Sequence, residues 1–137
     1  MFTIARGAAS IAKQRRLGRT IVFTNGVFDL LHPGHVRYLR AARAEGDVLV
    51  VGINSDRSVR SNKGPNRPVM PETERAEVIA ALAFVDSVAI FDDETPAAII
   101  ERLQPDVLVK GADWAADAIV GRDTVGARGG RVVRMPI

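Results

Sequence analysis

The sequence predicts an α/β fold, a doubly wound, Rossmann-like domain around a parallel sheet of five strands. Three observations predict it. Short apolar runs rich in Val and Ile recur along the chain, the pattern of strands buried on both faces. Helix-length stretches that open on Pro or close on Gly lie between them. Polar, Gly-bearing segments follow the runs, where a parallel sheet places its ligand site. The 137 residues suit one domain, 1–137, without internal repeat or interdomain linker.

Residues 1–19 are basic and free of acids. That composition resembles a transit peptide. Phe2, Ile4, Ala8, Ala9, Ile11 and Ala12 fall at roughly helical spacing, so a surface helix packed on the domain is the expectation. The first buried strand is expected over residues 20–24, and a helix over 33–45, with Pro33 near its first turn and Gly46 at its end. Residues 47–53, Asp-Val-Leu-Val-Val-Gly-Ile, form the second strand. A short helix follows over 56–61, then a loop over 63–68 marked by Gly64, Pro65 and Pro68. Residues 71–84 read as a helix whose Glu72 and Glu74 favour its N-terminus electrostatically. A third strand covers 87–91, and Thr95-Pro96 opens a helix reaching Leu103. Residues 106–110 make a fourth strand, 121–127 a short helix and 131–135 a fifth strand.

Composition narrows the function. Without Cys, the chain has no disulfide scaffold, Cys-liganded zinc site or Cys nucleophile, and it fits a reducing cytosol. The apolar runs are too short and too interrupted by charge to span a membrane. A net charge of +3 attracts anions, but aromatic residues are only 5%, too few for a row of stacking platforms, and no nucleic-acid motif appears. We therefore expect neither a nucleic-acid nor a membrane partner.

The chemistry concentrates after the strands. The first runs into Thr24-Asn25-Gly26-Val27-Phe28-Asp29-Leu30-Leu31-His32-Pro33-Gly34-His35. Gly26 permits a tight turn or close ligand approach. Gly34 stands at the mouth of a helix whose free N–H groups suit a phosphate. His32 and His35, the only two His, are three apart and can share one face. Attack on the α-phosphorus of a nucleoside triphosphate builds charge on its oxygens. Two imidazole N–H donors stabilise that charge, and no protein nucleophile is needed. The plainer alternatives are a pair of caps, core filling, or a metal half-site; the last has no third ligand nearby, so no metal ligands are assigned. Lys110 ends a buried strand, which is costly unless its amine reaches a partner. Gly111 and Ala112 allow close backbone approach, and Asp113 and Trp114 follow.

The run Gly26–His35 resembles the HxGH signature of the cytidylyltransferase-like nucleotidyltransferases. Within that family, the ordered blocks TNGVFDLLHPGHVRYL, GINSDRSV, KGPNRPV, ERAEVIAAL, ETP and PDVLVKGADW are similar to the adenylyltransferases that make ADP-heptose from D-glycero-D-manno-heptose 1-phosphate. The likeness runs from about Thr20 to the end of the chain. It implies an ATP-dependent sugar-phosphate adenylyltransferase with Mg²⁺ assisting, and a cytoplasmic homodimer. It also implies roles. His32, His35 and Lys63 would be catalytic. Thr24, Asn25, Gly26, Phe28, Asp29, Gly34, Arg67, Lys110 and Gly111 would join them around the nucleotide. Asn54, Asp56, Arg75 and Asp113 would meet the substrate, with Arg75 equally suited to bracing the site. Two other readings stand beside it: a cytidylyltransferase acting on glycerol 3-phosphate or phosphoethanolamine, and a catalytically silent nucleotide-binding module.

The sequence departs from the family at two places. Ala112 stands where many relatives have a second Gly. The family's second phosphate-binding block, consecutive Ser or Thr at a helix start, is expected where the sequence reads Met135-Pro136-Ile137, and Thr124 sits too early to replace it. That C-terminal family segment is thus expected to be absent, which is what raises the silent module. With no kinase-length extension, the stand-alone form of the enzyme is expected.

Overall fold

The computed structural model describes residues 2–4, 8–112 and 118–136. Among them a six-stranded sheet runs in the order β1-β4-β3-β2-β5-β6. In chain order the strands and helices are β1 (Phe2–Ile4), α1 (Ala8–Arg16), β2 (Ile21–Gly26), α2 (Pro33–Arg43), β3 (Val48–Asn54), α3 (Asp56–Lys63), α4 (Glu72–Ala80), β4 (Ser87–Phe91), α5 (Ala97–Leu103), β5 (Val107–Gly111), α6 (Arg122–Ala127) and β6 (Arg131–Met135).

Strands β2 to β6 are the five expected parallel strands. The sixth corrects the N-terminal expectation. Phe2–Ile4 pair antiparallel with β4, and helix begins only at Ala8. Apolar residues at 2 and 4 satisfy a period of two as well as a helical one, and Gly7 interrupts the helical pattern.

Strand residues alternate between two helix layers. Val22, Leu49, Val51 and Ile53 pack with Leu39 and Ala42 of α2 and Ala76 and Ile79 of α4. Ile21, Phe23, Val48 and Val50 pack on the other face with Ile11 of α1, Ile99 and Ile100 of α5 and Val125 of α6. Every residue of β3 is buried, as its unbroken Val-rich run requires of a central strand.

Three helix ends differ from expectation. Helix α2 stops at Arg43, two residues early. Helix α3 extends to Lys63, where Gly64 at φ +94 ends it, so Lys63 lies on a helix terminus rather than in the loop. Helix α4 stops at Ala80, and residues 81–84 leave it as turns that carry Leu82 and Phe84 onto the core. Among the described residues no helix is long and apolar enough to cross a membrane.

The sheet reverses its winding at β2. From there β3 and β4 are added on one side, β5 and β6 on the other. Strands β2 and β5 share only the register pairs Val22↔Val107 and Phe23↔Leu108. Beyond these they part, and the crevice opens at their carboxyl ends, the switch point of such a sheet.

Candidate active site

Two side-chain bonds span the parting strands. Lys110 Nζ donates to Asn25 Oδ1 at 3.2 Å, the partner that a lysine at a buried strand end requires. Thr24 Oγ1 donates to the Val109 carbonyl at 2.9 Å and lies 2.8 Å from the Tyr38 hydroxyl. With the Thr24 proton given to Val109, Tyr38 is the donor to Thr24. Thr24 is fully buried in this bridge, which corrects its expected place against the nucleotide. As residue 24 it shares the Val22 face of the strand, turned towards α2.

The two histidines form the cap of α2. His32 is the N-cap residue, and its Nδ1 accepts from Gly34 N at 3.0 Å. His35 is at N3, and its Nδ1 accepts from His32 N at 3.3 Å. This is a capping box built from two imidazoles, with Pro33 opening the helix. The capping alternative is present, and it leaves the Nε2 of each ring available for the functional one. Each Nδ1 is an acceptor, so the proton of each neutral ring sits on Nε2, away from the helix. The cap thereby fixes two outward N–H donors side by side, their ring centroids 3.9 Å apart.

Phe28 walls the pair. It adopts the left-handed conformation at φ 50, unusual for a non-glycine residue. Its ring meets that of His35 edge-on, with centroids 5.6 Å apart. Gly26 lies beneath it, where a Cβ would stand 2.9 Å from the Phe28 ring. Gly26→Ala must therefore displace that ring from His35. The expected result is a kcat lower by at least about tenfold in a protein that stays folded, since small misplacements of positioned groups cost one to two orders of magnitude. Steady-state kinetics beside a thermal melt checks it.

Burial lowers the His35 pKa below its ordinary 6.5, and the His32 charge lowers it further. The folded chain thus keeps His35 neutral in acid where the unfolded chain takes a proton. Stability from this group is complete above about pH 6.5 and falls as pH drops through 6.5 toward the depressed value. We expect NMR to find His35 titrating below 6.5, and to find its pKa higher in His32→Ala, where the neighbouring charge is gone.

A cavity of about 560 Å³ lies over these groups, lined among others by Asn25, Gly26, Phe28, His35, Asn54, Lys63, Lys110 and Gly111. A second, of about 490 Å³, shares Phe28, His35 and Lys63 and adds Asp29 and Arg67. His32 and Gly34 line neither cavity; His32 stacks on His35 but lines a separate hollow along α2 with Leu31, Pro33 and Arg37. Most of the expected nucleotide contacts are thus brought together.

Three residues expected to meet ligands are also engaged by the frame. Arg75 is buried, with its side chain 0% exposed. Its guanidinium donates to the carbonyls of Met70 at 2.9 Å, Val27 at 2.8 Å and Asn54 at 2.8 Å, and to Asp56 Oδ1 at 2.7 Å. It braces the site and has no face left for substrate, and Asp56 is drawn into the same bracket. Asp29 accepts from Val69 N at 2.8 Å and Met70 N at 2.8 Å. Burial would raise the Asp29 pKa, but the Met70 and Val69 bonds, with Arg75 and Arg67 adding, bring it below the usual value. Arg67 sits 3.9 Å from that carboxylate, on the loop it anchors. Asp113 and Trp114 lie outside the described residues.

The cavity also has a wall that sequence reasoning missed. Tyr38, Asn62, Glu94 and Thr95 line it. The signal was available for Glu94 and Thr95, which follow β4 as the other site segments follow their strands. Among the described residues no three His, Asp or Glu come together to hold a metal ion. Mg²⁺ keeps several waters and favours phosphate oxygens, so this donor set fits an ion carried mainly by a triphosphate.

Fold and crevice together define an α/β domain of the nucleotidyltransferase type. The chain belongs to the cytidylyltransferase-like family, whose model matches residues 23–132. It is 56% identical over 125 residues to the bifunctional protein HldE of Citrifermentans bemidjiense, covering 91% of this chain and 26% of that protein. It is 60% identical over 123 residues to the bifunctional protein HldE of Rhodospirillum rubrum, covering 90% of this chain and 25% of that one. The chain thus spans about a quarter of the length of the curated relatives it matches. Among solved structures, the lipopolysaccharide core biosynthesis protein of Thermoplasma volcanium matches with a TM-score of 0.71 and 32% identity, over 86% of this chain and 97% of that one. A protein of unknown function from Archaeoglobus fulgidus shares the fold, with a TM-score of 0.62 and 22% identity.

Proposed function

We propose that the protein transfers AMP from ATP to D-glycero-D-manno-heptose 1-phosphate, giving ADP-heptose and pyrophosphate. One observation carries the reading: a helix cap made of His32 and His35 that leaves both Nε2–H donors free and sets His35 in the wall of a cavity at the switch point of the sheet. The HldE relatives and the ordered heptose-enzyme motifs support the choice of acceptor.

A sugar-phosphate oxygen attacks the α-phosphorus, and pyrophosphate leaves in line. His32 and His35 donate to oxygens that gain charge, without becoming covalent. The free N–H groups at the start of α2 receive phosphate oxygens. Lys63, and Arg67 on its anchored loop, neutralise the leaving pyrophosphate. Lys110, held by Asn25, closes the far side of the crevice. Bound Mg²⁺ would supply further neutralisation of the triphosphate charge. Such an enzyme works in the cytoplasm, where ATP and sugar phosphates are found.

Pyrophosphate release by the full-length protein tests the reading, with ATP and CTP crossed against heptose 1-phosphate, glycerol 3-phosphate and phosphoethanolamine. Release with ATP and the heptose is expected. Release only with CTP and a small alcohol phosphate keeps the chemistry and discards the heptose. ATP binding without release from any pair leaves a silent binding module.

A further inference from the structure

The cavity over His35 is lined by two kinds of group. His35, Lys63 and Lys110 are donors or cations. The neutral or accepting groups come from the end of β3, from α3 beside Lys63, and from the turn between β4 and α5. They are Asn54, Asn62, Glu94 and Thr95. Asn54 is 8% exposed, and its amide bonds to no other described residue although it opens on the cavity.

Side-chain bonds tie these segments together. Arg57 grips Asp92 through Nε at 3.0 Å and Nη2 at 2.5 Å, and Ser55 Oγ donates to the same carboxylate at 2.6 Å. The Arg57 and Ser55 bonds hold the Asp92 pKa down to about 2, so the clasp stays ionised throughout the working range. Ser61 Oγ donates to Glu94 Oε1 at 2.8 Å, which orients the carboxylate and leaves its other oxygen to accept. A carboxylate facing a triphosphate would be repelled. A carboxylate facing a polyol accepts charge-assisted hydrogen bonds from hydroxyls.

We propose that Asn54, Glu94 and Thr95 form the polyol subsite of the acceptor, with Glu94 the residue that favours a polyhydroxylated sugar phosphate over a small alcohol phosphate. The proposal rests on the transferase reading above and deepens it. The phosphate of the acceptor faces the cationic groups, and its ring hydroxyls meet Glu94.

The test measures KM for the sugar 1-phosphate, ATP and Mg²⁺ in the full-length wild type, Glu94→Gln and Thr95→Val. A hydrogen bond to a charged group is worth about tenfold or more in affinity. Glu94→Gln is therefore expected to raise the sugar-phosphate KM by about tenfold or more, with unchanged ATP and Mg²⁺ dependence and an unchanged melting temperature. Thr95→Val, losing a neutral bond, is expected to raise it by only about three- to tenfold. An active wild type whose Glu94→Gln form keeps its sugar-phosphate KM, or shifts instead in ATP or Mg²⁺, overturns the subsite and leaves the transferase standing. A wild type inactive with every acceptor overturns the transferase reading and the subsite with it.

Discussion

His35→Ala is expected to lower kcat by about 10²–10³-fold, the usual loss when one preorganised donor to a developing anion is removed. The variant also loses half of the helix cap, because His32 N then has no side-chain acceptor. That part costs about 1 kcal/mol of stability, the ordinary worth of a cap. The two effects separate in His35→Gln. Gln at N3 restores the capping box by reaching back to the N-cap backbone, yet its amide does not stand where the imidazole Nε2 stood. The melting temperature should therefore recover while the rate stays low. Recovery of both would make His35 only a cap and would remove the basis for its catalytic role.

Arg75→Leu is expected to destabilise the fold by about 3–5 kcal/mol, the cost of breaking a buried charged pair from one side. The leucine leaves the Asp56 carboxylate and three carbonyls, at Val27, Asn54 and Met70, without their donor. For a domain of this size the melting temperature should fall by roughly 10 °C or more. Arg75→Lys keeps the charge but not the planar fork, so it should recover part of the loss. The pattern differs from that of a phosphate ligand. Had Arg75 met the phosphate of the substrate, Arg75→Lys would raise the sugar-phosphate KM with little change in melting temperature. Thermal melts and sugar-phosphate kinetics on the same two variants therefore check the bracing role.

The sheet was legible because its strands carry their own signal. A Val-rich run such as that of β3 has few other homes in a chain of this size, and Pro33 and Gly64 mark helix limits by backbone chemistry. The site was legible as a set of segments, since ligands gather past the carboxyl ends of parallel strands. What the sequence left open was the direction of individual polar side chains. Thr24 and Asn25 are adjacent, yet period-two alternation turns one into the buried Tyr38 bridge and the other to Lys110. Arg75 shares a helix face with Ile79, four residues on, and that spacing places it inward, which favours the brace over the ligand that the resemblance left equally open. The cap was one of the alternatives read for His32 and His35; that the two imidazoles fill both halves of a capping box was not legible, because those places usually hold Ser, Thr, Asp or Asn and Glu or Gln. The edge strand Phe2–Ile4 is too short for its periodicity to separate strand from helix.

In-line transfer is followed with ATP carrying ³²P at the α-phosphorus, the full-length protein, Mg²⁺ and heptose 1-phosphate. The label is expected to move into a sugar nucleotide, with unlabelled pyrophosphate in equal amount and none on the protein. Label that stays in ATP, appears only as free AMP, or becomes attached to the protein would contradict in-line transfer assisted by His32 and His35.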